Sequence, residues 1–387
     1  MNALHPIRLQ ASLHETIWGG RQLERKGWKR LPLAEVAIGE AWETEISTVA
    51  QNEPYTGKTL GRLVEELGPA LLGEQAVAIF GSRFPLLAKF IDANTKLSVQ
   101  VHPNDRFATE HEGGKLGKTE CWYILDAAPG TSIVYGFTTA TSRTAVQQAI
   151  EKVRLEDLLH EEPVQAGDVI FVPAGTVHAI GSGIFLYELQ EYSDVTYRMY
   201  DYGRLTPAGT LRELHVERAL DVASYDKSSR IKMKPVALAG GPGYEDRCLV
   251  ACQYFVVREL YFNSSEGGDA SGAGKGSSMD NETGKSCIIL SSLGAEVQVR
   301  YGEALENHEP LSGGQTMVLP AALGKYRIEG TGALLLSYVP APDDEAWQLW
   351  EAKQSGESSS SRVSSKEYGV RDPPVISRQE YREQDEF

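Results

Sequence analysis

Two segments of this chain superimpose without a gap. PVQAGDVIFVPAGTVHAIGSG, from Pro163, and PLSGGQTMVLPAALGKYRIEG, from Pro310, keep Gly167 against Gly314, Pro173 against Pro320 and Gly183 against Gly330. Each copy reads as turn, buried strand, proline-led turn, strand, glycine, strand. A unit of that kind, used twice, points to antiparallel jelly-roll architecture and away from any helical array. The expected fold is therefore mainly β, two barrels with short helical insertions. His178 of the first copy falls opposite Lys325 of the second, so a site that uses this histidine exists once.

The 387 residues exceed one ordinary core, and the repeat divides them. Residues 1–235 form the expected first domain with helical inserts, 236–342 a second barrel-like domain without the site, and 343–387 a polar, serine-rich tail expected to be disordered. Helices are expected in KTLGRLVEELGPALLG, TSRTAVQQAIEKVRLEDLLH and LRELHVERALDVAS. The Gly/Ser/Asp-rich run from Asn263 to Ser286 reads as a flexible loop within the second domain.

A formal charge of −15 argues against nucleic acid or an anionic membrane as partner, since both require a basic footprint. No run of eighteen apolar residues occurs and the first twenty residues hold no apolar signal core, so a cytoplasmic protein is expected. Three of the four cysteines, Cys121, Cys248, Cys252 and Cys287, lie in strand-like runs, which favours core thiols over a disulfide framework. A monomer is the expected state, because neither the polar tail nor the Gly/Ser-rich run supplies an interface.

Candidate ligands for a metal lie in three strand-like segments: Gln100 and His102 in QVH, Glu120 in KTECW and His178 in PAGTVHAI. Residues two apart on a strand share a face, so Ser98, Gln100 and His102 point together. Taken alone that face could simply be wet, Glu120 an exposed carboxylate, and His178 a satisfied core histidine. Taken together, two imidazoles and one carboxylate form a set that binds zinc while leaving a coordination position open, with the Gln100 amide as a weak fourth donor. Lys89, Lys118 and Arg198 could add positive charge to the same cavity, an anion seat beside a metal.

These segments resemble the type I phosphomannose isomerases, zinc enzymes built from two cupin barrels with helical additions. The resemblance runs from WGG (Trp18–Gly20) and GEAWE (Gly39–Glu43) through LAKFIDANTKLSVQVHPND, GKTECWYIL and VPAGTVHAIGSGIFLYELQEYSDVTYRMYDYGR, to Arg204. It implies one Zn2+ per chain on Gln100, His102, Glu120 and His178, phosphate contacts at Ser98 and Lys89, and active-site roles for Arg198, Lys118 and Asp194. The implied reaction interconverts mannose 6-phosphate and fructose 6-phosphate through a cis-enediolate. Zinc and Arg198 would then share the oxyanion charge, Lys118 would assist proton movement or bind substrate, and Asp194 would orient Arg198 or move a proton. Two departures stand out: Thr44-Glu45 replaces the family's Val-Ser after Trp42-Glu43, and the long helical domain of the larger enzymes is mostly missing. The ligand set also suits an Fe(II) cupin dioxygenase, and a sugar-phosphate-binding cupin without turnover is the non-enzymatic alternative.

Overall fold

The computed structural model describes residues 4–32, 36–206, 208–227, 231–263 and 277–355. The chain is mainly β, with antiparallel sheets in a cupin-like arrangement. In the first unit a seven-stranded sheet runs in the order Lys232–Met233, Val169–Val172, Glu120–Ala127, Ile184–Glu191, Leu86–Ala93, Ile38–Trp42, Ser12–Gly20. Facing it is a five-stranded sheet: Tyr197–Tyr200, Val99–Val101, His178–Ala179, Ser132–Phe137, Leu159–Pro163.

Trp122, Ile124, Ile170, Val172 and Leu186 of the larger sheet pack with Ile133 and Tyr135 of the smaller. Burial of this kind is non-directional and contributes about 1.5–3 kcal/mol per large side chain. The expectation of barrels is corrected in one respect: none of the described sheets closes on itself by hydrogen bonds. Side-chain packing between open sheets, rather than a continuous ladder, seals the first unit.

The repeat is visible in space at the same offset that aligned it in sequence. Val169–Val172 corresponds to Thr316–Leu319, and both are buried throughout. After the proline-led turn the copies diverge. The first breaks between His178–Ala179 and Ile184–Glu191, whereas the second runs on as one strand, Lys325–Tyr338. That long strand pairs with Ser277–Glu282 and Glu296–Tyr301 along its first half and with Val256–Phe262 and Ile288–Ser292 along its second. Gly330 lies where the two halves meet, at φ +151°, and a Cβ there would approach the Glu296 carbonyl oxygen to 2.2 Å. Only glycine admits so close a backbone contact.

The two units share a core. Ala88, Phe90, Tyr187 and Leu189, on the outer face of the seven-stranded sheet, join one apolar cluster with Ile289, Val318 and Leu335 of the second unit. The expected boundary after residue 235 is crossed by strand Ile7–Gln10, which pairs with Thr316–Leu319. An N-terminal strand of alternating burial finds its ladder partner across the interface.

Two further expectations change. Within the Gly/Ser-rich run, Ser277–Glu282 is a strand that buries Ser277 and Met279; residues 264–276 lie outside the described residues. At the tail's start, Glu345–Gln354 is a helix capped by Asp344 and anchored by buried Trp350, whose indole N–H donates to the Leu249 carbonyl at 3.1 Å. The expected disorder beyond residue 355 lies outside the described residues. The first expected helix is interrupted at Gly68 (φ +49°) into Leu60–Leu67 and Pro69–Leu72, and the second ends at Glu151 before a 3-10 turn at Leu155–Leu158. The third is Val216–Val222.

Candidate metal centre and active site

Register brings the candidate ligands together. In the smaller sheet Gln100 pairs with His178 on one side and with Arg198 on the other, so these three side chains share a face across adjacent strands. Glu120, at the start of its strand in the larger sheet, faces them across the cavity. His102, Glu120 and His178 are buried, and one ligand atom from each lies within 4.8 Å of the others.

The backbone sets the tautomer of both imidazoles. His102 donates from Nδ1 to the Val195 carbonyl and His178 from Nδ1 to the Thr176 carbonyl, each at 2.9 Å. A carbonyl accepts only, so each Nε2 carries the lone pair and turns to Glu120: 3.5 Å from His102 Nε2 to Oε2, and 3.4 Å from His178 Nε2 to Oε1. Burial, then the nearby Lys118 ammonium, hold His102 well below the ordinary imidazole range. Burial brings His178 down to about 4. Both rings are therefore neutral and available as ligands at pH 7.

The Gln100 amide lies 3.4 Å from His178 Nε2, and a half-turn of the amide directs its oxygen to the same point. Glu120 Oε1 is buried and accepts no hydrogen bond among the described residues. An orphaned carboxylate oxygen between two imidazole lone pairs is the donor set a divalent ion requires, so the residues fit a metal.

Around this group runs a buried ion network. Lys118 donates to Glu120, lies 3.2 Å from His102 Nε2 and is 3.8 Å from Glu188. Glu188 accepts from the Trp122 indole at 2.9 Å and pairs with Lys89 at 3.2 Å. Burial alone would raise the Glu188 carboxyl, but Lys118 and Lys89 outweigh it and hold the group ionised. Glu120 goes the other way, raised by burial and by the Glu188 charge. Lys89 also lies 3.3 Å from Glu40 and 4.5 Å from the Trp42 ring centroid.

Of the expected site residues, Gln100, His102, Glu120, His178, Lys118 and Lys89 converge, and Ser98 is buried on the strand run that carries Gln100. Arg198 shares the cavity face; its Nη1 donates to the Glu213 carbonyl at 2.8 Å. Asp194 does not reach the group. It sits exposed in the connection between strands and pairs with Lys115 at 2.9 Å, because its link to Arg198 is irregular backbone that turns the carboxylate outward. Four polar residues of the cavity were not anticipated: Glu188, Trp122, Trp42 and Glu40. Glu188 had a signal, an acidic residue within the apolar run IFLYEL.

Comparison with known proteins agrees with this geometry. The family model "Phosphomannose isomerase type I, catalytic domain" matches residues 7–123. The chain is 35% identical over 344 residues to mannose-6-phosphate isomerase ManA of Bacillus subtilis, an alignment covering 86% of this chain and 99% of that protein. It is 34% identical over 337 residues to mannose-6-phosphate isomerase of Streptococcus mutans, covering 86% and 98%. The crystal structure of the B. subtilis mannose 6-phosphate isomerase superimposes with a TM-score of 0.75 at 33% identity, covering 86% of this chain and 99% of that one. With a catalytic-domain match, relatives aligned over nearly their whole length and a buried His–Glu–His group in a cupin-like sandwich, the chain belongs to the type I phosphomannose isomerases and is an aldose–ketose isomerase.

Proposed function

We propose that this enzyme interconverts mannose 6-phosphate and fructose 6-phosphate through a cis-enediolate, with one Zn2+ held by His102, Glu120, His178 and the Gln100 amide. The observation that carries the reading is the orphaned Glu120 oxygen between two imidazoles whose outer nitrogens are fixed by backbone carbonyls. Bound there, the ion would supply a Lewis acid that stabilises oxyanion charge in a water-poor site.

The chain's own residues do the rest. An aldose–ketose exchange moves a proton between adjacent carbons, and a cis-enediolate presents both carbons to one face, so a single group can serve both. Lys118, whose Nζ lies against His102 and Glu120, is placed for that task as the neutral amine, which takes the proton from one carbon and returns it to the other. Glu188 and Lys89 hold the network in register, and the Trp42 and Trp122 rings exclude water from it. Arg198, beyond Gln100, supplies positive charge along the same wall. Asp194, turned to solvent and paired with Lys115, is given no role in this assignment. The domain organisation follows: the first unit carries the chemistry, and the second, with exposed Lys325 at the histidine position, is a buttress.

A coupled assay of mannose 6-phosphate isomerisation, with and without chelator, together with elemental analysis, tests the proposal. One zinc per chain and activity lost on chelation and restored by zinc are expected. Turnover that persists in metal-free protein would refute the metal assignment, and the absence of turnover in zinc-loaded protein would refute the substrate.

A further inference from the structure

Lys118 stands on irregular backbone. Residues 115–119 belong to no strand, yet Leu116, Gly117, Lys118 and Thr119 are buried. Buried peptide groups without a ladder need partners of another kind, and those partners then decide where the side chains stand. Here each of the four residues has one. The Ser193 hydroxyl donates to the Leu116 carbonyl at 2.8 Å, and the Gly117 N–H donates to Asp105 Oδ1 at 2.8 Å. The Lys118 N–H donates to the Pro103 carbonyl at 3.0 Å, next to His102, and the Thr119 N–H to Glu191 Oε1 at 2.8 Å. Packing at Gly117 is too close for any side chain: a Cβ there would meet the Asp105 nitrogen at 2.4 Å and the Asn104 carbonyl carbon at 2.5 Å.

The acceptor in this seat is held in turn from the second unit. Tyr254 lies in the turn between Tyr244–Ala251 and Val256–Phe262, and its hydroxyl donates to Asp105 Oδ2 at 2.8 Å. Its ring lies by Phe80, with centroids 6.2 Å apart. Burial, then the Glu191 and Asp105 carboxyls, keep the phenol protonated and therefore a donor. On the other side of Asp105, Glu191 Oε2 is buried and accepts no hydrogen bond among the described residues. Burial and then the Asp105 charge raise Glu191 well above the ordinary carboxylate range, which leaves it the acid, with its proton toward Asp105. One carboxylate thus gathers Gly117, Tyr254 and Glu191.

We infer that Tyr254 is a positioning residue for the isomerisation: its hydroxyl fixes Asp105, Asp105 fixes Gly117, and the Lys118 amine is thereby held where it reaches both reacting carbons. This rests on the role given to Lys118 above. The second unit then acts on the chemistry of the first through a hydrogen bond that crosses their interface. Its loss should appear in rate. The bond touches neither substrate nor metal ligand, whereas a base displaced by about 1 Å loses up to about 100-fold.

The test is Tyr254→Phe in the zinc-loaded enzyme, which keeps the ring beside Phe80 and removes only the donor. It should lower kcat for mannose 6-phosphate roughly 10-fold, with KM and zinc content unchanged, since Asp105 keeps its other partners. Tyr123 supplies the control: its hydroxyl also crosses the interface, to Glu259 at 2.8 Å, and Tyr123→Phe should leave kcat and KM at wild-type values. Hydrogen exchange gives a second readout that needs no substrate. The Gly117 and Thr119 amides should exchange faster in Tyr254→Phe and not in Tyr123→Phe. Asp105→Ala, which releases Gly117 itself, should lower kcat further, and Asp105→Asn, which keeps an acceptor for Gly117, should recover part of that loss. Unchanged kcat, or unchanged exchange, in Tyr254→Phe would overturn the proposal. So would a rise in KM at constant kcat, or an equal fall in kcat in Tyr123→Phe, the mark of a generally loosened interface. Full turnover in Lys118→Met would overturn it while the isomerase reading stands. If the zinc-loaded wild type does not turn over mannose 6-phosphate, the substrate reading falls, and amide exchange alone decides whether Tyr254 holds the segment.

Discussion

Acidifying the metal-free protein isolates what burial costs at His178. The imidazole is fully buried, hydrogen-bonded through Nδ1 to Thr176, and brought down to about 4 from an ordinary value of 6.5. Between those values the unfolded chain binds a proton that the folded chain refuses. Stability is therefore fully present above pH 6.5 and is lost as pH falls toward 4. At about 1.36 kcal/mol per pKa unit the whole window is worth about 3 kcal/mol, and roughly 2 kcal/mol has gone by pH 5. That is a large fraction of a typical folding free energy of about 5–15 kcal/mol. Glu120 titrates nearby, so the comparison must be differential: urea unfolding of wild type and His178→Gln, both chelated, at pH 7.5 and pH 5. The wild type should lose about 2 kcal/mol more than the variant over that interval. Any constant cost of the substitution, such as the lost bond to Thr176, cancels. A wild-type-minus-variant difference that does not change with pH would show that His178 is not held neutral by burial, and the tautomer argument for its free Nε2 would fall with it.

Other outcomes follow from the same geometry. Glu120→Gln keeps the side chain's volume but removes the carboxylate between the imidazoles, so zinc content and isomerisation should both fall by at least about 100-fold, measured by elemental analysis and the coupled assay. Lys325→His restores the repeat's histidine in the second copy, yet the position is exposed and the described residues hold no second cluster of three candidate ligands, so zinc should stay at one per chain by elemental analysis. Ile328→Ala removes a fully buried side chain from the second core and should cost about 2–5 kcal/mol in urea unfolding, with metal stoichiometry unchanged. Trp350→Ala should lower the thermal midpoint, because the helix Glu345–Gln354 docks through that indole.

Much of the site was legible because its residues follow strand periodicity. Ser98, Gln100 and His102 alternate with Leu97, Val99 and Val101, and the structure buries the three apolar residues against the fold while the ligand side meets Glu120 and His178. The apolar setting of AGTVHAI signalled that His178 needed a partner, and Glu120 proved to be that partner. Lys89 and Asp194 show the limit of such reading. Both stand at motif positions, but a side chain's partners depend on which strands lie beside it. Lys89 is claimed by Glu40 and Glu188 from neighbouring strands, and Asp194 by Lys115, all remote in sequence.

The same division applies to the whole chain. By itself the sequence determined the β architecture, the repeat, and the residues of the His–Glu–His group, because alternation and turn chemistry are local and are written into consecutive residues. Only the tertiary structure decided that the sheets stay open, that the N-terminal strand completes the second unit, and that the tail begins with a docked helix. It also decided where charge is balanced, with Lys89 satisfied between two carboxylates. Electrostatic balance is a sum over neighbours in space, and cross-strand register, which sets those neighbours, is fixed only when the sheets assemble.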